Sequence, residues 1–152
     1  MRYLQRRIEI TSVTFFLFVF FTTLILDQGV KYSVQRYSDA TGSFFRFTEN
    51  SGIAFSIPMN HTLLWGGLIA ILFFLLILCR RSIVKKRVME SMAYALILGG
   101  GVGNSMDRIR FGAVHDTFVL PGGLLFNMAD LAIIIGLLFL LLWPRKSTPL
   151  PS

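Results

Sequence analysis

Four apolar runs, at residues 11–26, 63–79, 88–102 and 126–143, are set apart by short polar stretches, and they leave few folds open to this chain. About 30 Å of hydrocarbon calls for roughly 20 apolar residues of helix, and each run approaches that length once its flanks are added. The expected fold is an all-α membrane protein forming one domain over residues 1–152. Its four transmembrane helices fall near 11–30, 62–79, 88–106 and 126–143, with an outer loop at 31–61. At 54% hydrophobic and a mean hydropathy of +0.65, the composition excludes a soluble core protein. The third run is the weakest, because it carries Glu90, Ser91 and Gly99-Gly100-Gly101.

The charges orient these spans. Arg2, Arg6 and Arg7 precede the first run, Arg80, Arg81, Lys85, Lys86 and Arg87 lie between the second and third, and Arg145 and Lys146 follow the fourth. Basic loops stay on the cytoplasmic side, so both termini are expected inside. The acids Asp27, Asp39, Glu49, Asp107, Asp116 and Asp130 then fall outside or at the outer interface. The formal net charge of +7 and pI near 10.2 thus reflect topology, and no nucleic-acid partner is implied. The first run resembles a signal peptide in its basic flank, but no small-x-small cleavage site precedes Asp27, so an uncleaved span is expected. Cys79 is the sole cysteine and is read as a packing or lipid-facing residue.

Between the spans, Phe44-Phe45-Arg46-Phe47-Thr48 alternates partially and reads as a short strand. Asn50-Ser51-Gly52 and Pro58-Met59-Asn60 read as turns, so a small extracytoplasmic β element is expected between helices one and two. Pro121-Gly122-Gly123 predicts a turn that doubles the chain back and brings Asp116 toward Asp130. The tail at 147–152 reads as disordered.

Carboxylates at a membrane interface are costly unless used, which draws attention to Asp116 and Asp130. Two carboxylates sharing a site of low dielectric do not both ionise cheaply, so one holds a proton while the other stays charged. Such a pair can activate water and protonate a leaving amine with no metal and no covalent intermediate. For Asp130 alone, a solvated acid or a helix cap is an equally good account. Asn127 and Asp130 share a helix face, as do Asn104, Asp107 and Arg108. The latter group reads either as an interfacial anchor or as donors for a peptide backbone. Gly99 and Gly103 have the spacing of close helix packing, and Asp27 with Lys31 reads as a structural i,i+4 pair. His115 and His61 lack a third ligand, so neither a metal nor any other cofactor is expected.

In order along the chain stand Asp27-Gln28 with Lys31, Asn50-x-Gly52-x-Ala54-Phe55, Gly103-Asn104-x-x-Asp107-Arg108-x-x-x-Gly112-x-Val114-x-Asp116 and Phe126-Asn127-x-Ala129-Asp130. These blocks resemble the signature of the lipoprotein signal peptidases, also called signal peptidase II. The resemblance covers nearly the whole chain. It implies an aspartic endopeptidase of the bacterial inner membrane that cuts prolipoproteins just before a diacylglyceryl-modified cysteine, acting as a monomer on its outer face with membrane lipid as its other partner. By position, it implies Asp116 and Asp130 as the catalytic dyad. Asn104, Arg108 and Asn127 would position substrate or dyad, Asn50, Gly52 and Ala54 would belong to the outer surface element, and Asp27 and Asp107 would support the site. One departure stands out: the family usually places Phe directly after the first catalytic Asp, whereas Thr117 follows Asp116 here and Phe118 comes one later. Other readings remain: a divergent paralogue without peptidase activity, a small proton-coupled transporter using Asp27, Asp116 and Asp130, or a scaffold whose acids only anchor helix ends.

Overall fold

The structure, a computed structural model, describes residues 2–37, 44–52 and 60–143. Four helices and three strands follow in the order α1 (Arg2–Tyr37), β1 (Phe45–Asn50), α2 (His61–Val84), α3 (Val88–Phe111), β2 (Val114–Val119), β3 (Leu125–Phe126) and α4 (Met128–Leu142). Two helical stretches, Thr11–Tyr37 and Thr62–Val84, are long and apolar enough to cross a membrane. α4 is apolar but shorter, and α3 has the length but carries Glu90, Asp107, Arg108 and Arg110.

Local chemistry sets the helix ends. Asn60 caps α2, its side-chain oxygen accepting from Thr62 N at 2.9 Å. α3 ends at Gly112, whose φ of 78° is the left-handed conformation that closes a helix without Cβ strain. α4 opens with a reciprocal capping box in which Asn127 Oδ1 accepts from Asp130 N at 2.9 Å while Asp130 Oδ2 accepts from Asn127 N at 3.3 Å. Beyond the expected helix end at 30, α1 runs on to Tyr37. The reason lies in Lys31, which reads as a loop residue by hydropathy but is buried and neutralised by carboxylates of the bundle.

The bundle is organised around α3, which packs against α4 and α1 and receives α2 on a further side. Small residues allow the approach. A Cβ on Gly100 would run into the Ala129 carbonyl, and one on Gly136 would lie 2.6 Å from Ile97 Cγ1 and 2.7 Å from Ala93 O. Cys79 is buried with Tyr94 and Leu98, beside Phe16, Phe20, Leu72 and Leu75, and is a packing residue.

The β structure is larger than the sequence suggested. Expected only between helices one and two, it is a three-stranded antiparallel sheet of order β1-β2-β3, two strands of which come from the segment between α3 and α4. β1 pairs with β2 through Thr48 opposite Asp116, Glu49 opposite His115 and Asn50 opposite Val114, with an irregularity between Phe45 and Thr48. β2 pairs with β3 through Phe118 opposite Phe126. The hairpin turns at Gly122 and Gly123, both at positive φ, with Gly123 N donating to Leu120 O at 3.0 Å. The second loop was opaque to period counting because β2 has no polar alternation: its first four residues, Val114 to Thr117, are all buried. The sheet lies at one end of the helices, and the basic run between α2 and α3 lies at the other.

Candidate active site

Asp116 reaches the site from the middle of β2 and Asp130 from the first turn of α4. Because side chains alternate along a strand, Asp116 points away from its neighbours His115 and Thr117 and shares a face with Asn50 across the ladder. The Asp116 carboxylate, only 2% exposed, accepts from Asn127 Nδ2 at 3.0 Å on Oδ1 and from Asn50 Nδ2 at 3.1 Å on Oδ2. Asp130 accepts from Asn104 Nδ2 at 2.8 Å on Oδ1. Asn127 therefore touches both acids, donating to one with its amide and capping the helix of the other.

The hairpin of β2 and β3 delivers this juxtaposition, as the Pro121-Gly122-Gly123 turn implied. Both acids line a cleft of about 310 Å³ together with Asn50, Asn104 and Arg108 on its polar side. Its other wall is apolar, built from Val114, Leu124, Leu125, Phe126, Ile133 and Ile134. Arg108 lines the cleft from α3 and is tied to the chain just beyond β1, Nη2 donating to Gly52 O at 2.9 Å. Burial pushes the Asp116 carboxyl above its ordinary value. Hydrogen bonds from Asn50 and Asn127 oppose this, as do the positive charges of Lys31 and Arg108.

Beneath the cleft lies a second group of charges. Lys31 Nζ sits 2.7 Å from Asp27 Oδ2 and 2.7 Å from Asp107 Oδ2, all three side chains being nearly inaccessible. Asp27 Oδ1 accepts from Ala129 N at 2.9 Å, so α1 is fastened to the first turn of α4. Gln28 Nε2 bridges Asp27 Oδ2 and Asp107 Oδ1 at 3.1 and 3.0 Å, and Asp107 Oδ2 also takes the His115 N–H at 3.2 Å. Buried charges persist only when so completely partnered.

Of the residues singled out by sequence, Asn50, Asn104, Arg108, Asp116 and Asp130 meet in the cleft, Asn127 bridges the acids, and Gly52 meets Arg108 through its carbonyl. Asp27 and Asp107 lie below it in the charge cluster. Ala54 lies outside the described residues, as do Asp39, Phe55, Arg145, Lys146 and the tail at 147–152. His115 stands on the opposite face of β2, its ring 4.5 Å from both the Phe47 and Phe111 ring centroids. At the departure beside Asp116, Thr117 is fully buried. Aromatic packing comes instead from Phe118, whose ring lies 5.0 Å from Phe126 and 5.5 Å from Phe45. Sequence reasoning passed over Gln28, the reach of Lys31 to Asp107, and the apolar wall. The one available signal was a lysine following an apolar run at helical spacing from an acid.

Known proteins resemble this chain in sequence and in fold. The family described as Signal peptidase (SPase) II matches residues 19–144. A lipoprotein signal peptidase of Moorella thermoacetica is 33% identical over 133 residues, covering 82% of this chain and 89% of that protein. One of Brucella ovis is 38% identical over 139 residues, covering 79% and 82%. Among solved structures, a bacterial membrane enzyme determined by the in meso method at 2.3 Å superposes with a TM-score of 0.67 at 22% identity, covering 91% of this chain and 94% of its own. A second, determined at 1.9 Å, gives 0.64 at 24% identity with the same coverage. With the family match running from within α1 to beyond the end of α4, and relatives above 30% identity over most of its length, this chain belongs to the signal peptidase II family of membrane aspartic peptidases.

Proposed function

We propose that the protein is an endopeptidase that removes the signal peptide of prolipoproteins by cutting just before the diacylglyceryl-modified cysteine, with Asp116 and Asp130 as the catalytic pair. The observation that carries this reading is the convergence of two carboxylates from different elements on one residue, Asn127, whose side-chain amide donates to Asp116 and whose backbone N–H donates to Asp130, at the polar wall of a cleft whose other wall is apolar. In the proposed cycle the ionised carboxylate takes a proton from water as its oxygen attacks the scissile carbonyl. The protonated carboxylate supports the developing oxyanion and then passes a proton to the leaving amine. Asn50, Asn104 and Asn127 hold the acids, and Arg108 at the rim is placed to meet a peptide carbonyl.

In this reading all four helices cross the membrane. α3, of 24 residues, has a length of about 36 Å at 1.5 Å per residue, and α4 packs along it. With the basic run at the end opposite the sheet, the termini face the cytoplasm and the cleft opens on the outer face of the bacterial inner membrane. The substrate's acyl chains remain in the bilayer, each buried CH₂ contributing about 0.8 kcal/mol, and hold the scissile bond at the height of the cleft. Lipid binding then supplies positioning that a small polar site lacks. The proton-relay alternative loses ground because Asp27, Asp107, Asp116 and Asp130 gather at one end, while Glu90 at the other is engaged by Arg87 at 3.0 Å and Ser82 at 3.1 Å.

The test is cleavage of a diacylglyceryl-modified prolipoprotein by purified protein in lipid, alongside Asp116→Asn and Asp130→Asn. Each substitution is expected to lower kcat on the order of 10⁴-fold while the protein still inserts and folds. Cleavage at the wild-type rate by either variant would remove that residue from the pair.

A further inference from the structure

The three amides around the carboxylates have no freedom to turn over. Oxygen and nitrogen of an Asn side chain are distinguished by their partners, and each of these three oxygens faces a group that can only donate. Asn50 Oδ1 accepts from Gly52 N at 3.1 Å, and Asn127 Oδ1 accepts from Asp130 N at 2.9 Å. Both locks are backbone N–H groups. The third is different: Asn104 Oδ1 faces Lys31 Nζ at 3.2 Å, and its Nδ2 is thereby turned to Asp130 Oδ1 at 2.8 Å. A side chain from another helix, 73 positions away in sequence, sets this orientation.

We infer that Lys31 is a positioning residue for the two carboxylates, locking the Asn104 amide toward Asp130 and placing a buried positive charge beneath the pair. The inference rests on Asp116 and Asp130 being the catalytic pair. Lys31 is 4% exposed and cannot gain from solvent what it gives up by burial. Asp27 and Asp107 already more than offset its charge and, through it, join α1 to α3; they do not require its third contact to reach Asn104. That contact is what connects the lower charge cluster to the cleft. Among the described residues, the charged groups around the pair are Asp27 and Lys31 from α1, Asp107 and Arg108 from α3, Asp116 from β2 and Asp130 from α4. β1 faces the pair with the neutral Asn50. Of these charged groups, Lys31 and Arg108 are the cations that favour ionisation of Asp116, and the charge of Lys31 holds it lower than burial alone would. With Lys31 gone, Asn104 is free to present either end to Asp130, and Asp116 keeps its proton to higher pH.

The experiment compares wild type with Lys31→Met, Lys31→Arg and the double variant Asp27→Asn/Lys31→Met, each purified in lipid. Cleavage of a diacylglyceryl-modified prolipoprotein is followed across pH. The double variant matters because Lys31→Met leaves two buried carboxylates against no cation and is prone to misfold. Replacing Asp27 by Asn keeps an oxygen for Ala129 N and removes one of the two charges. The expected result is a kcat lowered roughly 100-fold in the double variant with KM within about twofold. The acid limb of kcat/KM moves to higher pH, and Lys31→Arg recovers part of the loss. A folded double variant with wild-type kcat and an unmoved acid limb overturns the inference and leaves Lys31 as a charge balance only. The underlying reading fails separately, if Asp116→Asn cleaves at the wild-type rate.

Discussion

α2 and α3 are both helices of 24 residues, and they divide the labour of the protein unequally. α2 is the most evident span in the sequence, with a hydropathy of 2.6 over its best stretch, yet most of its side chains face outward. α3 is the least apolar of the runs, and its buried positions include Gly99, Gly100, Gly103, Asn104 and Asp107. The difference teaches that hydropathy in such a chain reports what touches lipid. The helix that organises the bundle spends its sequence on small residues that admit its neighbours and on polar residues that meet their charges.

The largest effect expected from this contrast is on packing. Gly100→Leu on α3 drives a side chain into the Ala129 backbone and Ile133, displacing the turn of α4 that carries Asp130. A cost of about 3 kcal/mol and loss of cleavage are expected. Gly67→Leu on α2 meets nothing within 4 Å and should change stability by no more than about 0.5 kcal/mol. Thermal unfolding in detergent, with the cleavage assay alongside, checks both. Equal sensitivity at the two glycines would erase the distinction between the helices.

How far the sequence disclosed this organisation follows from the same distinction. The four helices were legible because apolar runs bounded by basic clusters carry a local signal, and the polar residues of the cleft were legible as ordered blocks. What stayed hidden was relational. Thr48 opposite Asp116 is a pairing between segments 68 residues apart, and nothing local in β2 marks it as the central strand. Lys31 read as the partner of Asp27 because helical spacing shows that contact alone; Asp107 and Asn104 approach it only once α3 has folded against α1. Asp27 and Asp107 read as support for the site, and it took the fold to place them beneath the cleft, on Lys31.

A finer contrast uses one residue type in one structural position. Asn60 caps α2 and Asn127 caps α4, each accepting a backbone N–H at 2.9 Å. Among the described residues, that is the one side-chain hydrogen bond Asn60 makes. Asn127 also donates to Asp116, so its amide belongs to the cleft as much as to the helix. Asn60→Ala is expected to cost about 1 kcal/mol with kcat unchanged. Asn127→Ala should cost a similar amount in stability and, in addition, lower kcat about 100-fold as Asp116 loses one of its two amide donors. If the activity lost in Asn127→Ala merely tracks the unfolded fraction, the amide serves the helix alone.

The smallest effect concerns pH. Burial raises the Asp116 carboxyl, so the folded protein holds this proton to higher pH than the unfolded chain does. The sign follows from linkage: where the folded state binds the proton more tightly, the stability it contributes is full below the unfolded-state pKa and is lost as pH rises through the folded value. Acidifying wild-type protein across that window should raise its unfolding temperature. Asn60→Ala lies on a helix remote from the carboxylates in role, and it should show the same rise from a lower starting point. Asp116→Asn should show a smaller one, because this titrating group is gone. A rise as steep in Asp116→Asn as in wild type would assign the pH response to other groups and take from Asp116 the energetic signature that distinguishes its end of the molecule from the exposed face of α2.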